Sequence, residues 1–158
     1  MSSISGIDEV LNGTVKSKML NIELKKAGRQ DIKLLQQIGR QTFYETFIEW
    51  NTHDNVSMYV NESFATERLA FELSDNDSEF WFASLDDEVV GYLKVNSGSS
   101  QTELQDDKAV EIERIYLLKR YHGKGVAQLL YQKALSIAHR KKAEYVWLGV
   151  WENNHRAI

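Results

Sequence analysis

The stretch RIYLLKRYHGKGVAQLL, residues 114–130, passes from a strand pattern through a short basic turn into a helix pattern. The residues before the turn, 115–118, form an apolar run that is typical of a strand. After the turn, a set of apolar residues recurs at helical spacing: Val126, Leu130, Ala134 and Ile137. Gly123 and Gly125 allow backbone conformations that other residues rarely adopt. The stretch therefore predicts a strand, an anion-binding turn and a helix over about residues 124–141.

The strand before this turn carries charge on both of its predicted faces. Alternation puts one set of residues on the first face: Val110, Ile112, Arg114 and Tyr116. It puts a second set on the opposite face: Glu111, Glu113, Ile115 and Leu117. The buried first strand of a dinucleotide-binding fold is apolar instead. The strand pattern therefore argues against a dinucleotide site.

Three phosphate-binding patterns compete for the basic turn at residues 120–128. The Walker pattern Gly-x-x-x-x-Gly-Lys-Ser/Thr occurs nowhere in the chain, which excludes a P-loop nucleotide triphosphatase. The dinucleotide pattern needs a third glycine where Gln128 stands. The pattern Arg/Gln-x-x-Gly-x-Gly/Ala is met from Arg120 to Gly125. A plain strand–helix turn with solvated basic residues is the remaining alternative.

The composition bounds the class of protein. The chain has 158 residues, of which 42% are apolar and 27% charged, as expected of one globular domain. It contains no cysteine, which favours a cytoplasmic setting without disulfides. A net charge of −4 argues against nucleic acid as a partner, and no apolar window is long enough for a membrane span. Residues 1–20 are predicted to be a weakly structured extension.

The remaining patterns predict a mixed fold around one twisted sheet. In chain order they are a short strand near 22–26, a helix over 31–50, two short helices between 51 and 75, a hairpin over 79–98, a loop to 108, and a strand over 144–151. Gly91 interrupts the second hairpin strand, as a bulge or a close approach would. The last strand is apolar throughout, which predicts burial on both faces. The fold class is α/β of the α+β kind.

The turn resembles the acetyl-coenzyme A pyrophosphate loop of the GNAT superfamily of N-acetyltransferases. The resemblance spans about residues 21–158 and includes FWFASLDDEVVGYLKV, EIERIYLL and WLGVWENNHRAI. In the last of these, Asn154 and Ala157 match the family's Asn-x-x-Ala. The strings IERIYL, WLGVWE and TFYETF are similar to bacterial spermidine/spermine N-acetyltransferases. The resemblance implies a central mixed, mostly antiparallel twisted sheet flanked by helices.

Two features depart from the family pattern. Lys119 stands where the family often has proline before the Arg/Gln position. The aromatic pair with a tyrosine and the two strands that normally follow Asn-x-x-Ala would lie beyond Ile158. The resemblance therefore implies a single acyl-CoA N-acyltransferase domain over 21–158 that lacks the final strands, and the general acid is not assigned.

The resemblance also implies which residues hold acetyl-coenzyme A. The strand residues Ile115, Tyr116, Leu117 and Leu118 would pair with the pantetheine arm, with the Leu117 N–H donating to the thioester oxygen. The loop residues would hold the pyrophosphate: Arg120, Tyr121, His122, Gly123, Lys124, Gly125, Val126 and Ala127. Asn154 would contact the pantetheine region. The reaction would be direct attack of an amine on the thioester, which agrees with the absence of cysteine and of a Gly-x-Ser-x-Gly elbow.

An alkylammonium, with a pKa of about 10.4, must lose a proton before it attacks. Glu111 and Glu113 are the candidate catalytic bases, and the alternative is that they are solvated or paired with Arg114. Tyr44 and Glu49 are the candidate substrate-binding residues, because aromatics and carboxylates suit cations. Their neighbours Phe43 and Phe47 are expected in the core. The histidines lack metal-ligand spacing, so no metal is expected: His53, His122, His139 and His155.

Three functions remain open from the sequence. The leading hypothesis is acetylation of a small primary amine, with a polyamine such as spermidine or spermine as the acceptor. The second is acetylation of a protein or peptide amine, and the third is a binding module that holds acyl-coenzyme A without turnover. A homodimer is a possible assembly.

Overall fold

The computed structural model describes residues 21–149. Its strands are β1 (Ile22–Lys26), β2 (Ser78–Leu85), β3 (Glu88–Ser97), β4 (Ala109–Leu117) and β5 (Tyr145–Trp147). Its α-helices are α1 (Ile32–Phe47), α2 (His53–Ser63), α3 (Thr66–Ser74) and α4 (Val126–Arg140). Short 3-10 turns span Arg29–Asp31, Gly98–Ser100 and Lys119–Tyr121. Residues 1–20, 150–158 and with them Asn154 lie outside the described residues.

The strands form one sheet in the order β1-β2-β3-β4-β5. The first four pair antiparallel and β5 joins β4 in parallel, so the sheet is mixed and mostly antiparallel, as predicted. The predicted hairpin is β2–β3. Its turn contains Asp86 and Asp87 at φ 50° and 70°, the left-handed conformations that two-residue hairpin turns need.

Gly91 lies where β3 approaches β4 closely. A Cβ atom there would lie 2.6 Å from the carbonyl oxygen of Tyr116 and 2.3 Å from Leu117 Cδ2. A backbone oxygen cannot move aside without disturbing the strand pairing. The predicted close approach is therefore confirmed. Because Gly91 has no side chain, Leu117 of β4 can pack directly against β3.

Helices α1 and α4 contribute much of the core. The predicted stripe of α4 is buried, with Val126, Leu130, Ala134 and Ile137 each at most 1% exposed. Phe43 and Phe47 of α1 are buried too, as expected, with ring centroids 4.5 Å apart. Among the described residues no helix is both long and apolar enough to cross a membrane.

A bulge in β4 overturns the predicted alternation of its side chains. β3 pairs Lys94 with Arg114 but Val95 with Ile112, so Glu113 is an extra residue on β4. A bulge of this kind shifts the following side chains to the other face. Glu111, Glu113, Arg114 and Tyr116 consequently line one cavity, although alternation separated Arg114 and Tyr116 from the glutamates.

The prediction of a doubly buried last strand is wrong within the described part of the chain. β5 has three residues, and Tyr145 and Leu148 are 39% and 45% exposed. In the described part of the chain, β5 pairs with β4 alone, so its other edge has no strand to cover it. An apolar sequence predicts a strand that is buried on both faces only where other elements pack against both faces, and the exposure of Tyr145 shows that this condition is not met for β5 here.

Candidate active site

The glycine turn presents an open concave surface at the start of α4. Gly123 and Gly125 have φ values of 77° and 85°, in the left-handed region, and Gly125 is the residue that caps α4. A Cβ atom at either position would meet no atom within 4 Å. Both α-carbons therefore face open space, and a large anion can approach the backbone there.

The backbone amides of the turn divide into two groups. The N–H groups of Tyr121 and His122 donate to the carbonyls of Leu118 and Lys119, at 2.9 and 3.1 Å. Leu129 donates to the carbonyl of Gly125 at 3.3 Å, so the amides of residues 126–128 precede the first helical acceptor. The donors suited to an anion therefore lie at the beginning of α4, and the two preceding amides shape the turn.

The basic side chains of the turn are not equivalent. Arg120 Nη2 lies 2.5 Å from Glu88 Oε2, and the Tyr121 hydroxyl donates to the same carboxylate at 2.9 Å. His122 Nε2 lies 3.2 Å from the carbonyl oxygen of Leu117. Lys124 is exposed beside the open glycines. Arg120 is thus held towards the β2–β3 hairpin and has further N–H groups for an anion.

β4 has an open edge next to this turn. Its last partner in β5 is Trp147, opposite Glu111, and within residues 21–149 the rest of β4 pairs only with β3. The N–H of Leu118 donates to Val90 of β3 at 2.9 Å. Because N–H groups alternate in direction along a strand, the N–H of Leu117 points away from β3. That direction suits the predicted contact with a thioester oxygen.

A cavity of about 260 Å³ lies beside this open edge. Its carboxylates are Glu103, Glu111 and Glu113, and its aromatic walls are Phe43, Tyr59, Phe64, Tyr116 and Trp147. Phe43 and Tyr59 stack with ring centroids 4.5 Å apart. Burial raises the pKa of Tyr116 to about 12, so its hydroxyl stays protonated at neutral pH.

The two predicted catalytic glutamates lie together in this cavity. Glu111 is 3% exposed and accepts from the N–H and the hydroxyl of Thr102, at 2.8 and 2.5 Å. Glu113 accepts from Lys94 Nζ at 2.6 Å and lies 3.5 Å from Arg114 Nη2. Burial alone would raise the pKa of Glu113, but the charges of Lys94 and Arg114 outweigh it and hold that pKa below its ordinary value.

The lowered pKa of Glu113 predicts acid-sensitive stability. The folded protein favours the carboxylate, so below the ordinary pKa of 4.5 the unfolded chain binds more protons than the folded chain. The contribution of Glu113 to the free energy of unfolding is therefore complete above pH 4.5 and decreases as the pH falls through the folded pKa. Urea denaturation between about pH 6 and pH 3 will show a shallower decrease for Glu113→Gln than for the parent. Parallel curves would contradict the pairing.

The predicted substrate residues lie elsewhere. Tyr44 lines an open groove of about 730 Å³ between α1 and α2, where its ring meets that of His53 edge-on at 5.7 Å. Glu49 is exposed after the end of α1 and lines neither cavity. The sequence interpretation missed Tyr59, Thr102 and Glu103, which come from α2 and from the β3–β4 loop. Nothing in their local sequence distinguishes them, because only the fold brings these segments to β4.

The described residues contain no group of three or more histidine or acidic side chains placed to hold a metal ion.

Comparison with known proteins identifies the family. The model of the acetyltransferase (GNAT) family matches residues 40–158, well over half of the chain. An uncharacterized N-acetyltransferase from the pepI 3′ region of Lactobacillus delbrueckii subsp. lactis is 31% identical over 139 residues, covering 88% of this chain and 80% of the relative. The spermidine N(1)-acetyltransferase of Thermoplasma acidophilum is 22% identical over 126 residues, covering 77% of this chain and 73% of that protein.

Solved structures agree at the level of the fold. The PaiA N-acetyltransferase of Thermoplasma acidophilum, crystallised with coenzyme A, has a TM-score of 0.76 at 21% identity, over 87% of this chain and 84% of that chain. A soil-metagenome aminoglycoside acetyltransferase in complex with sisomicin has a TM-score of 0.64 at 17% identity, over 86% and 82%. The fold and the family model define an acyltransferase. The chain belongs to the GNAT family and is an acetyl-coenzyme A-dependent N-acetyltransferase, as predicted.

Proposed function

We propose that the protein acetylates a small cationic primary amine, with a polyamine such as spermidine as the acceptor. The observation that carries this proposal is the cavity beside the open edge of β4, which combines three carboxylates with five aromatic rings. Carboxylates attract an ammonium group, and aromatic faces stabilise it by about 0.5–2 kcal/mol. An anionic acceptor would meet like charge there.

The acyl donor fits the neighbouring turn. The open glycines at 123 and 125 leave space for a pyrophosphate against the start of α4, and Arg120 and Lys124 supply positive charge. We assign the thioester carbonyl to the Leu117 N–H, which directs the acetyl group towards the cavity. The contact assigned to Asn154 stays a prediction, as does the part of Tyr44 and Glu49 in binding the acceptor.

The chemistry assigned to this chain is positioning and proton transfer. The amine nitrogen forms a bond to the carbonyl carbon, the carbon–sulfur bond breaks, and the thiol leaves. One carboxylate of the cavity accepts a proton from the ammonium group before or during attack. No protein nucleophile takes part.

Relatives support an amine acceptor and differ in which amine. One is named a spermidine N(1)-acetyltransferase and another is an aminoglycoside acetyltransferase solved with sisomicin. Both acceptors are polycationic amines, which agrees with the charge of the cavity. A cytoplasmic setting and a homodimer belong to the same proposal, and the molar mass from light scattering tests the dimer.

Release of the coenzyme A thiol, followed with a disulfide reagent, tests the proposed acceptor. Full-length protein with acetyl-coenzyme A will release thiol with spermidine, and the rate will saturate with spermidine concentration. A set of peptides with free N-termini or lysines serves as the comparison. Faster turnover of a peptide would favour a protein acetyltransferase, and tight coenzyme A binding without turnover of any amine would favour a binding module.

A further inference from the structure

Asn96 of β3 lies between the two glutamates of the cavity and is fully buried. Its Nδ2 atom donates to Glu111 Oε1 at 3.0 Å and to Glu113 Oε1 at 2.8 Å. A side-chain amide has two N–H groups, so each glutamate receives one of them. One neutral side chain therefore fixes the positions of both carboxylates.

The orientation of this amide is determined by its other contact. The hydroxyl of Ser78 in β2 lies 2.9 Å from Asn96 Oδ1 and donates to it. The reversed amide would direct Oδ1 at two carboxylates, which is unfavourable because all three groups are acceptors. Asn96 is thus held as a double donor towards Glu111 and Glu113.

The two glutamates differ in what compensates their charge. Glu113 lies between two buried cations, Lys94 and Arg114, which are 5% and 7% exposed. Lys94 also lies 3.2 Å from Glu72 of α3. Glu72 lies 3.1 Å from Arg68 as well, so Glu72 and Glu113 each have two cations beside them.

Glu111 differs from both, because the ion pairs of the described residues include none to its carboxylate. Its hydrogen-bond donors are the backbone N–H and hydroxyl of Thr102 and the amide of Asn96, all of them neutral. Neutral donors orient a carboxylate without cancelling its charge. Glu111 also lines the cavity, where an ammonium group can approach it.

We propose that Glu111 is the base that accepts the proton of the acceptor amine, that Glu113 is a structural anion paired with Lys94, and that Asn96 is the positioning residue that holds both carboxylates in place. This inference rests on the proposed function. The ammonium gives one proton to the Glu111 carboxylate, directly or through water, and the free amine attacks the thioester carbon. The second nitrogen proton balances the thiolate that leaves, and Glu111 returns its proton to water.

A series of primary amines of decreasing basicity tests this division of roles. The series runs from propylamine to trifluoroethylamine, whose nitrogen is unprotonated at neutral pH, and kcat is measured with both substrates saturating. Glu111→Gln will lower kcat about 100-fold for the most basic amine, and the loss will shrink along the series because a neutral amine needs no base. Glu113→Gln, the matched control, will lower kcat by a similar factor for every amine.

Asn96→Leu tests the positioning residue in the same series. We expect about a tenfold loss of kcat for basic amines that also shrinks along the series, with unchanged acetyl-coenzyme A affinity by calorimetry. Thr102→Val removes the hydroxyl that donates to Glu111 and leaves β3 unchanged. We expect the same trend from this variant, which replaces Asn96→Leu in the test if Asn96→Leu does not fold.

The outcomes separate the inference from the proposed function. An equal loss for all amines in Glu111→Gln, or a loss that shrinks along the series in Glu113→Gln, would overturn the assignment of roles. A parent protein that turns over no amine would instead overturn the proposed function.

Discussion

Replacing Gly123 with aspartate will lower the affinity for acetyl-coenzyme A by at least about 100-fold, or 2.7 kcal/mol. The α-carbon faces open space, where a Cβ atom meets nothing within 4 Å, so the new carboxylate enters the region assigned to the pyrophosphate. It both occupies that space and repels the anion. Isothermal calorimetry with acetyl-coenzyme A measures the change, and unchanged affinity would refute the loop assignment.

Gly123→Asn is the matched control. Asparagine has the same size as aspartate and tolerates the left-handed φ of 77° at this position. It lacks the charge, so we expect about a tenfold loss of affinity or less. Equal losses in the two variants would show that shape alone, and not the charge of the ligand, is recognised there. Thermal unfolding of both variants checks that any loss does not come from the fold.

Replacing Lys94 with methionine will lower the free energy of unfolding by about 3–5 kcal/mol. The ammonium group is buried, with Nζ 2.6 Å from Glu113 and 3.2 Å from Glu72. It also lies 5.4 Å from the centroid of the Phe80 ring. Methionine fills the volume but leaves two carboxylates in the interior with less positive charge beside them, and their desolvation is no longer repaid. Urea denaturation measures the loss.

Lys26→Met provides the comparison for an exposed cation. Its side chain is 57% exposed and lies 4.0 Å from Glu79, so we expect a change within about 1 kcal/mol. The double variant Lys94→Met/Glu113→Gln will recover part of the stability, because it also removes one of the stranded charges. Additive losses would mean that Lys94 and Glu113 do not interact, in conflict with the structure.

Much of the fold could be predicted from local patterns. Residue periodicity predicts the β2–β3 hairpin and the buried stripe of α4, and a glycine within a strand predicts the close approach at Gly91. Each of these patterns extends over only a few neighbouring residues. The bulge at Glu113 could not be predicted, because strand pairing decides it and the sequence alternates through it without interruption. The burial of β5 was mispredicted for a similar reason, since its neighbours in space decide it.

The candidate site divides in the same way. The turn from Arg120 to Gly125 is recognisable in sequence because its conformation depends on glycines within the turn itself. Glu111 and Glu113 could be named from sequence but not distinguished. Their different surroundings come from Lys94 on β3, which pairs with Glu113, and from Thr102 on the β3–β4 loop, which donates to Glu111.

The sequence by itself determined the class of protein, the glycine turn before α4 and the strand that leads to it. These features are local, and each depends on backbone preferences that neighbouring residues set. Only the tertiary structure decided which carboxylate has cations beside it and which has only neutral hydrogen-bond donors. That decision depends on distances between β2, β3, β4 and α3, because electrostatic interactions act through space and not along the chain.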